Sequence, residues 1–307
     1  QFAQQTQMAR QAYAQGQYTQ AVVICDQLAS RLGARDDLLN IKAVSLLALG
    51  KVEAAEKSIR QALKINPRVA GVHLNAAGIY KALSQNKLVK RHAMEAVRLA
   101  PREAAVLYQA ALLCRDCGDY SQALRIVERC LQLHPGFSQA WHLKGSALID
   151  LGEMEPAQTA LEKSIALEPG NVRALSSLVK IRGDKLDNAA TVAQLERIRF
   201  KGASPTDRAS ASFVLGNLCR RDGQHGVAFR LYLEANALVA ANKPFDLEAW
   251  TQKVAHVRQT SAMPGALTST QGSSGANLVF IVGMPRSGTT LCEQVLSANS
   301  GVLACGE

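Results

Sequence analysis

Apolar residues recur along most of this chain at helical spacing rather than in strict alternation. Residues 104–135 show it well. Ala105-Val106-Leu107-Tyr108 and Ala110-Ala111-Leu112-Leu113 run to Gly118, and Tyr120, Ala123, Leu124, Val127 and Leu131 then mark a second apolar stripe. The spacing predicts two helices joined by a glycine turn. The layout repeats: Pro67, Pro101, Pro135 and Pro169 stand 34 residues apart, and a fixed period of this length signals stacked, equivalent units. Seventeen residues before these prolines stand Gly50, Ser84, Gly118 and Gly152, where a turn calls for positive φ. Twelve before them stand Ala55, Val89, Ala123 and Ala157, and five before them Ala62, Ala96, Cys130 and Ser164. Twenty-four before them stand Ala43, Ala77, Ala111 and Gly145. Small residues at fixed places predict close approach of the two helices. Each proline is predicted to end a second helix. Pro156 falls in the first turn of such a helix, where its missing N–H costs little.

This pattern resembles the tetratricopeptide repeat. Trp141, Gly145, Gly152, Ala157 and Pro169 match it in the best copy, and the other copies match less fully. An earlier copy shows at Gly16-Gln17-Tyr18-Thr19-Gln20-Ala21. A degenerate later one shows at Phe213-Val214-Leu215-Gly216, Gly223, Ala228-Phe229 and Ala235. Between Val172 and Asp207 the register slips and the terminal proline is missing, so a departing helical pair is expected at about 172–207. The resemblance covers residues 2–242. It implies an α-α superhelix over 1–242 whose concave groove, lined by first helices, holds an extended peptide or protein segment. Repeats alone favour an interaction role and name no partner. Lys42 and Lys144 hold equivalent positions on first helices, placed to face such a groove. His73 sits at the large-residue position of its copy, which points to core or groove rather than catalysis.

The last part of the chain changes character. Phe245 to Gln259 reads as one more amphipathic helix, and Pro264 to Gly275 as a Gly/Ser/Thr-rich linker, so residues 243–276 form a connection. Leu278-Val279-Phe280-Ile281-Val282 is a continuous apolar run that predicts a buried parallel strand. Gly283-Met284-Pro285-Arg286-Ser287-Gly288-Thr289-Thr290 follows as a loop, and Leu291 to Leu296 returns to helical spacing. Strand, glycine-bounded loop and helix suit a phosphate cradle, because unpaired N–H groups and the helix dipole meet at the helix start. The G-x-x-x-x-G spacing matches the nucleotide P-loop, but Thr289 stands where that loop carries lysine. The cation is instead Arg286, whose planar fork fits an oxygen pair of phosphate or sulfate. An ordinary ATP or GTP hydrolase is therefore disfavoured.

Phe280 to Leu291 closely resembles the 5′-phosphosulfate loop of sulfotransferases, whose donor is 3′-phosphoadenosine 5′-phosphosulfate (PAPS). It is most similar to bacterial proteins that join tetratricopeptide repeats to a sulfotransferase domain, and to the tyrosylprotein sulfotransferases. The degenerate copy through Asn236-Ala237-Leu238 also looks like the segment that precedes the loop in those fusions. The resemblance implies a mainly α chain: a tetratricopeptide superhelix followed, at 277–307, by the first strand-loop-helix of an α/β P-loop-like sulfotransferase domain. It implies that Pro285, Arg286, Ser287, Gly288, Thr289 and Thr290 bind PAPS. The backbone from Arg286 to Thr289 takes the 5′-phosphate, and Arg286 neutralises charge that grows at the sulfuryl group. In the tyrosylprotein branch Cys-Gly-Glu follows the loop helix and its Glu is the general base. Cys305-Gly306-Glu307 stands in that place, so Glu307 joins Arg286 as an implied catalytic residue.

The sequence departs from the family in stopping at Glu307, before any 3′-phosphate-binding segment, further strands or acceptor pocket. These 307 residues are therefore expected to be part of a longer protein and, alone, neither to bind PAPS tightly nor to turn over. The acceptor stays open among protein tyrosine, carbohydrate, lipid and small-molecule hydroxyls. Two rival readings remain: a non-enzymatic adaptor that works through its repeats, with the loop a remnant, and a P-loop nucleotide hydrolase.

Composition narrows the picture further. With 48% hydrophobic and 20% charged residues the chain is globular rather than disordered. Only 5% are aromatic, which leans towards Ala/Leu helix packing. Thirty-five Lys+Arg against 25 Asp+Glu give +10, a balance that favours anionic partners without selecting one. Lys81, Lys87, Lys90, Arg91, Arg98 and Arg102 face only Glu95 in their stretch, as a solvated helix face or a binding surface. Aromatic residues do not interleave with them, so nucleic acid is not expected. No apolar run approaches the ~20 residues of a membrane span. Seven Cys at irregular spacing suit reduced thiols in a cytoplasmic setting. Cys114 and Cys117 form a lone CxxC without a second ligand pair, and the six His lack metal spacing, so no metal is expected. The serine loop lacks G-x-S-x-G order. The chain opens on Gln1-Phe2-Ala3 rather than Met, which leaves room for a removed targeting segment.

Overall fold

The computed structural model describes residues 2–182, 188–200 and 204–242, and within 247–255 all but residues 249 and 253. The chain divides into two units, Gln1–Pro244 and Phe245–Glu307. In the second unit the described residues are helical, in line with the amphipathic spacing there. The linker at 264–275, the strand at 278–282, the loop residues Pro285 to Thr290 and the terminal Glu307 lie outside the described residues.

The first unit is a succession of antiparallel helix pairs: α1 (Phe2–Ala14) with α2 (Tyr18–Leu32), α3 (Asp36–Ala48) with α4 (Val52–Ile65), and α5 (Ala70–Ala82) with α6 (Asn86–Leu99). These are followed by α7 (Ala104–Asp116) with α8 (Tyr120–Leu133), and α9 (Ser138–Asp150) with α10 (Met154–Leu167). The irregular α11 (Val172–Arg182) and α12 (Asn188–Phe200) come next, and α13 (Pro205–Arg221) with α14 (His225–Asn242) completes the series. Each of the four periodic prolines stands two residues past the end of a second helix, as the sequence predicts.

Within a pair the turn is a left-handed cap. Gly50, Gly118 and Gly152 have φ of 73°, 84° and 83°, and Ser84, the serine at the same place, is forced to 56°. Around Gly50 the Lys51 N–H donates to the Leu46 carbonyl and the Gly50 N–H to the Leu47 carbonyl, the paired bonds of a Schellman cap. The same two bonds recur at Ser84, Gly118 and Gly152. Gly16 and Gly223, both at φ 76°, carry the turn in the outermost copies. Gly223 lies 71 residues after Gly152, two periods plus three, so the extra residues fall in the irregular pair. That pair ends at Phe200. Residues 205–207, included in it by the sequence reading, instead open α13, where Ser204 accepts from the Asp207 N–H at 3.1 Å and Pro205 fills the first helical position.

The small positions are where the helices meet. Ala43, Ala77 and Ala111 are fully buried, and Gly145 and Gly216 replace them in register. Sixteen residues further on stand Ile59, Ala93, Val127, Leu161 and Tyr232 respectively, and the two glycines face Leu161 and Tyr232. A Cβ on Gly145 would lie 2.7 Å from Leu161 Cγ, and one on Gly216 2.5 Å from the Tyr232 ring.

Between pairs, each second helix packs against the following first helix. The backbones of successive first helices also approach one another closely, whereas successive second helices stand further apart and meet only through long side chains, as Gln122 with Met94 and Arg199 with Glu234. An array whose first helices are closer together than its second helices curves towards the first helices, which therefore line its concave side.

Candidate functional site

Cross-links between successive first helices mark the concave face. Asn75 Nδ2 donates to Asn40 Oδ1 at 2.8 Å, joining α3 to α5. Lys81 pairs with Asp116, joining α5 to α7, and Arg115 Nε lies 4.0 Å from Asp150 Oδ2, joining α7 to α9. All three links span 35 residues, one more than the period. Asn40 has Leu74, Tyr108 and His142 as its register equivalents, so His142 lies on this same face. Its Nε2 stands 3.4 Å from Ser146 Oγ. Burial, with further contributions from Arg115 and Arg173, lowers its pKa to about 4 and leaves the ring neutral at pH 7.

The basic stretch from Lys81 to Arg102 is partly neutralised. Besides Lys81, Lys90 pairs with Asp119, and Arg98 grips Glu95 through two bonds at 2.6 and 2.9 Å. That bonding holds the Glu95 carboxyl below its ordinary pKa and raises those of Lys90 and Arg98. Asp119 also caps α8 by accepting from the Gln122 N–H at 3.1 Å.

Lys42 and Lys144 do not line the groove as expected. Each reaches back to the preceding second helix, Lys42 to Asp26 at 2.5 Å and Lys144 to Glu128 at 2.8 Å. At the equivalent interfaces Ala76 and Ala110 replace the lysine, and Arg60 and Met94 replace the acid. His73 belongs to the core. Its Nε2 lies 2.9 Å from the Pro67 carbonyl, the counterpart of Trp141 Nε1 donating to the Pro135 carbonyl at 2.7 Å two periods later. A carbonyl only accepts, so His73 Nε2 carries a proton. Its Nδ1 lies 2.9 Å from His92 Nδ1, and the two rings share a hydrogen bond. His92 stacks on Tyr80 at 5.3 Å between ring centres, and burial, with His73 and Arg91 adding to it, lowers its pKa to about 4.

Cys114 is fully buried and its pKa is pushed up to about 12, chiefly by burial, while Cys117 Sγ donates to the Cys114 carbonyl. Such thiols are structural rather than reactive. Among the described residues no three His, Cys, Asp or Glu converge as a metal site would require. The implied PAPS-binding residues, Pro285, Arg286, Ser287, Gly288, Thr289 and Thr290, and the implied base Glu307, lie outside the described residues. The place of His142 on the concave face escapes a residue-by-residue reading. Its sequence signal is the register that puts His142 three periods after Asn40.

Two tetratricopeptide-repeat family models match residues 36–69 and 116–181, and a sulfotransferase family model matches residues 278–307. A protein of Aquifex aeolicus is 32% identical over 129 residues, which make up 39% of this chain and 17% of that protein's length. A tetratricopeptide repeat protein from Parabacteroides merdae superposes with a TM-score of 0.59 at 15% identity, covering 82% of this chain and 96% of that one. The C-terminal part of a repeat-containing protein from Cytophaga hutchinsonii gives 0.52 at 15% identity, covering 80% and 98%. Among the described residues no helix is long and apolar enough to cross a membrane. The described helix pairs form a tetratricopeptide α-α superhelix.

Proposed function

We propose that this chain combines a tetratricopeptide scaffold, over residues 1–242, with the donor loop of a PAPS-dependent sulfotransferase, over residues 277–307, joined through 243–276. The scaffold holds a protein or peptide in its concave groove and positions it for transfer of a sulfuryl group to a hydroxyl. Protein tyrosine is the acceptor that the family likeness favours. The observation that carries the reading is Pro285-Arg286-Ser287-Gly288-Thr289-Thr290, set between an apolar run and helical spacing inside the stretch that the sulfotransferase model matches.

The donor set of that loop suits a phosphosulfate. It offers backbone N–H groups, three hydroxyls from Ser287, Thr289 and Thr290, and one guanidinium, and it lacks the lysine that serves a triphosphate. PAPS, when bound, supplies the activated sulfuryl group. Ser287, Thr289 and Thr290 donate hydrogen bonds to the anionic oxygens. Arg286 stays protonated at any working pH and opposes the negative charge that builds as the bond to sulfur breaks. Glu307 accepts the proton of the acceptor hydroxyl, a role in which a carboxylate needs only hydrogen-bond reach. No step calls for a metal.

The test is transfer of radiolabelled sulfate from PAPS by the full gene product to a panel of tyrosine-containing proteins, carbohydrates, lipids and small-molecule alcohols, with Arg286→Ala and Glu307→Ala alongside. Label transfer that both variants lose supports the reading. A well-folded protein that transfers nothing to any acceptor class contradicts it and leaves the repeat groove as the functional surface.

A further inference from the structure

We propose that the outward face of three successive second helices, α4, α6 and α8, docks on an anionic lipid surface through a patch of unpaired cations. The proposal is independent of the concave groove and of the donor loop.

The patch follows from helical geometry. On α4 the buried Ala55, Ile59 and Ala62 define the inward side, and Lys57 lies about half a turn away from it. Arg91 on α6 and Arg125 on α8 take the same outward place one and two periods on. Lys64 stands two turns beyond Lys57, and Lys87 one turn before Arg91, along the same stripes. All five are exposed, and among the described residues none makes an ion pair.

The acids nearby are mostly taken. Arg60 holds Glu56 at 3.6 Å, Arg98 holds Glu95 at 2.6 Å, Lys90 pairs with Asp119, and Lys144 holds Glu128 at 2.8 Å. On these stripes Glu53 is the acid that makes no ion pair among the described residues. The excess is also local. The equivalent stripe carries Thr19, Val23, Asp26 and Ser30 on α2, and Glu155, Thr159, Glu162 and Ala166 on α10, without a cation. A face that serves solubility mixes both signs, whereas a field of one sign suits an anionic partner.

Shape selects that partner. Second helices form the convex side, so the cations stand on a ridge rather than in a groove. A plane reaches cations on three helices at once, whereas a convex cylinder such as duplex nucleic acid meets few of them. The stripes carry no aromatic residue on which bases could stack. A protein partner calls for apolar anchors at the centre of its interface. The large apolar residue on the stripes is Met94, only 38% exposed, whose sulfur accepts from Gln122 Nε2 at 3.0 Å. Lipid headgroups supply dense, laterally mobile negative charge and need only cations within a Debye length. Each Lys or Arg so placed strengthens binding about fivefold.

The experiment is co-sedimentation of the full gene product with vesicles of phosphatidylcholine alone and of phosphatidylcholine mixed with an equal part of phosphatidylglycerol, with duplex DNA as competitor. Binding to the anionic vesicles should be at least about tenfold tighter than to the neutral ones, and salt raised to about 0.5 M should release the protein. The double variant Arg91→Glu/Arg125→Glu should weaken anionic-vesicle binding at least about tenfold. Arg173→Glu/Lys180→Glu, the same charge change on the exposed side of first helix α11, should leave it unaltered. Unchanged urea midpoints show that both variants keep the fold. Absent or equal sedimentation with the two kinds of vesicle, or anionic-vesicle binding indifferent to Arg91→Glu/Arg125→Glu, would overturn the proposal. DNA that binds more tightly than the vesicles and is released by that same variant would overturn it too, and would assign the patch to nucleic acid.

Discussion

Gly145→Ala probes the helix-pair contact directly. The added Cβ would sit 2.7 Å from Leu161 Cγ, 2.8 Å from Leu161 Cδ2 and 3.2 Å from the Ala157 carbonyl oxygen. Leu161 is fully buried and cannot swing into solvent, and the carbonyl belongs to the backbone of α10. Overpacking of this kind costs about 1–3 kcal/mol. Replacing a mid-helix glycine by alanine returns about 1 kcal/mol of helix propensity, so the single variant should be destabilised by roughly 0–2 kcal/mol. Leu161→Ala removes the obstruction at its own cost of about 2–5 kcal/mol. In that background Gly145→Ala should stabilise by about 1 kcal/mol, giving a coupling of roughly 1–3 kcal/mol between the two sites. Register shows that shape decides rather than size, since Ala111 is accommodated opposite Val127 and Ala43 opposite Ile59, both branched at Cβ, whereas Leu161 branches at the Cγ that the added Cβ would meet. Repeat arrays open unit by unit, so the assay is hydrogen exchange of the α9 and α10 amides alongside urea unfolding. Effects that add to within about 0.5 kcal/mol, or a Gly145→Ala variant more stable than the parent, would refute this account of the contact.

Ser84 is held at φ 56°, where a side chain is unfavourable, so Ser84→Gly should raise the urea midpoint by the equivalent of about 0.5–1 kcal/mol; no gain would count against strain there. His92 and His142 both have their pKa lowered to about 4 in the folded chain, against about 6.5 when unfolded. The unfolded chain therefore takes up protons first, and stability present above pH 6.5 should fall, by about 1–3 kcal/mol per histidine, as pH drops towards 4. Urea midpoints at several pH values should show the loss, with His92→Gln flattening the profile. Arg199 joins α12 to α14 by binding Glu234 at 2.6 Å, and it also holds Glu196 at 3.0 Å. Arg199→Ala should expose α12 amides to exchange before those of α9, at a cost of about 1–3 kcal/mol.

The helix pairs are legible because their punctuation is local. A proline that cannot continue a helix and a turn that needs positive φ act through their own backbone, so Pro67, Gly50 and their counterparts mark the ends wherever they occur. The irregular α11–α12 pair is legible as a departure, but its end is not. The register carries the eye to Asp207, whereas Ser204 and Pro205 start a new helix through a cap whose strength is independent of the repeat. Lys42 and Lys144 show where periodicity falls short. Their direction is decided by Asp26 and Glu128, acids on the preceding helix, and only a comparison across interfaces reveals the exchange of lysine with alanine. The links between first helices, such as Lys81 with Asp116, each join two copies, so no single copy contains them. The loop from Pro285 to Thr290 is legible purely as a motif, a run of residue types whose donors suit an anion.

The central claim is that this loop holds a PAPS-type nucleotide, and its most direct test is calorimetric titration of 3′-phosphoadenosine 5′-phosphate into the full gene product and its Arg286→Ala variant. The account predicts one nucleotide per chain and at least about tenfold weaker binding once the guanidinium is gone. A folded protein that takes up no nucleotide, or binds it equally well without Arg286, would contradict it.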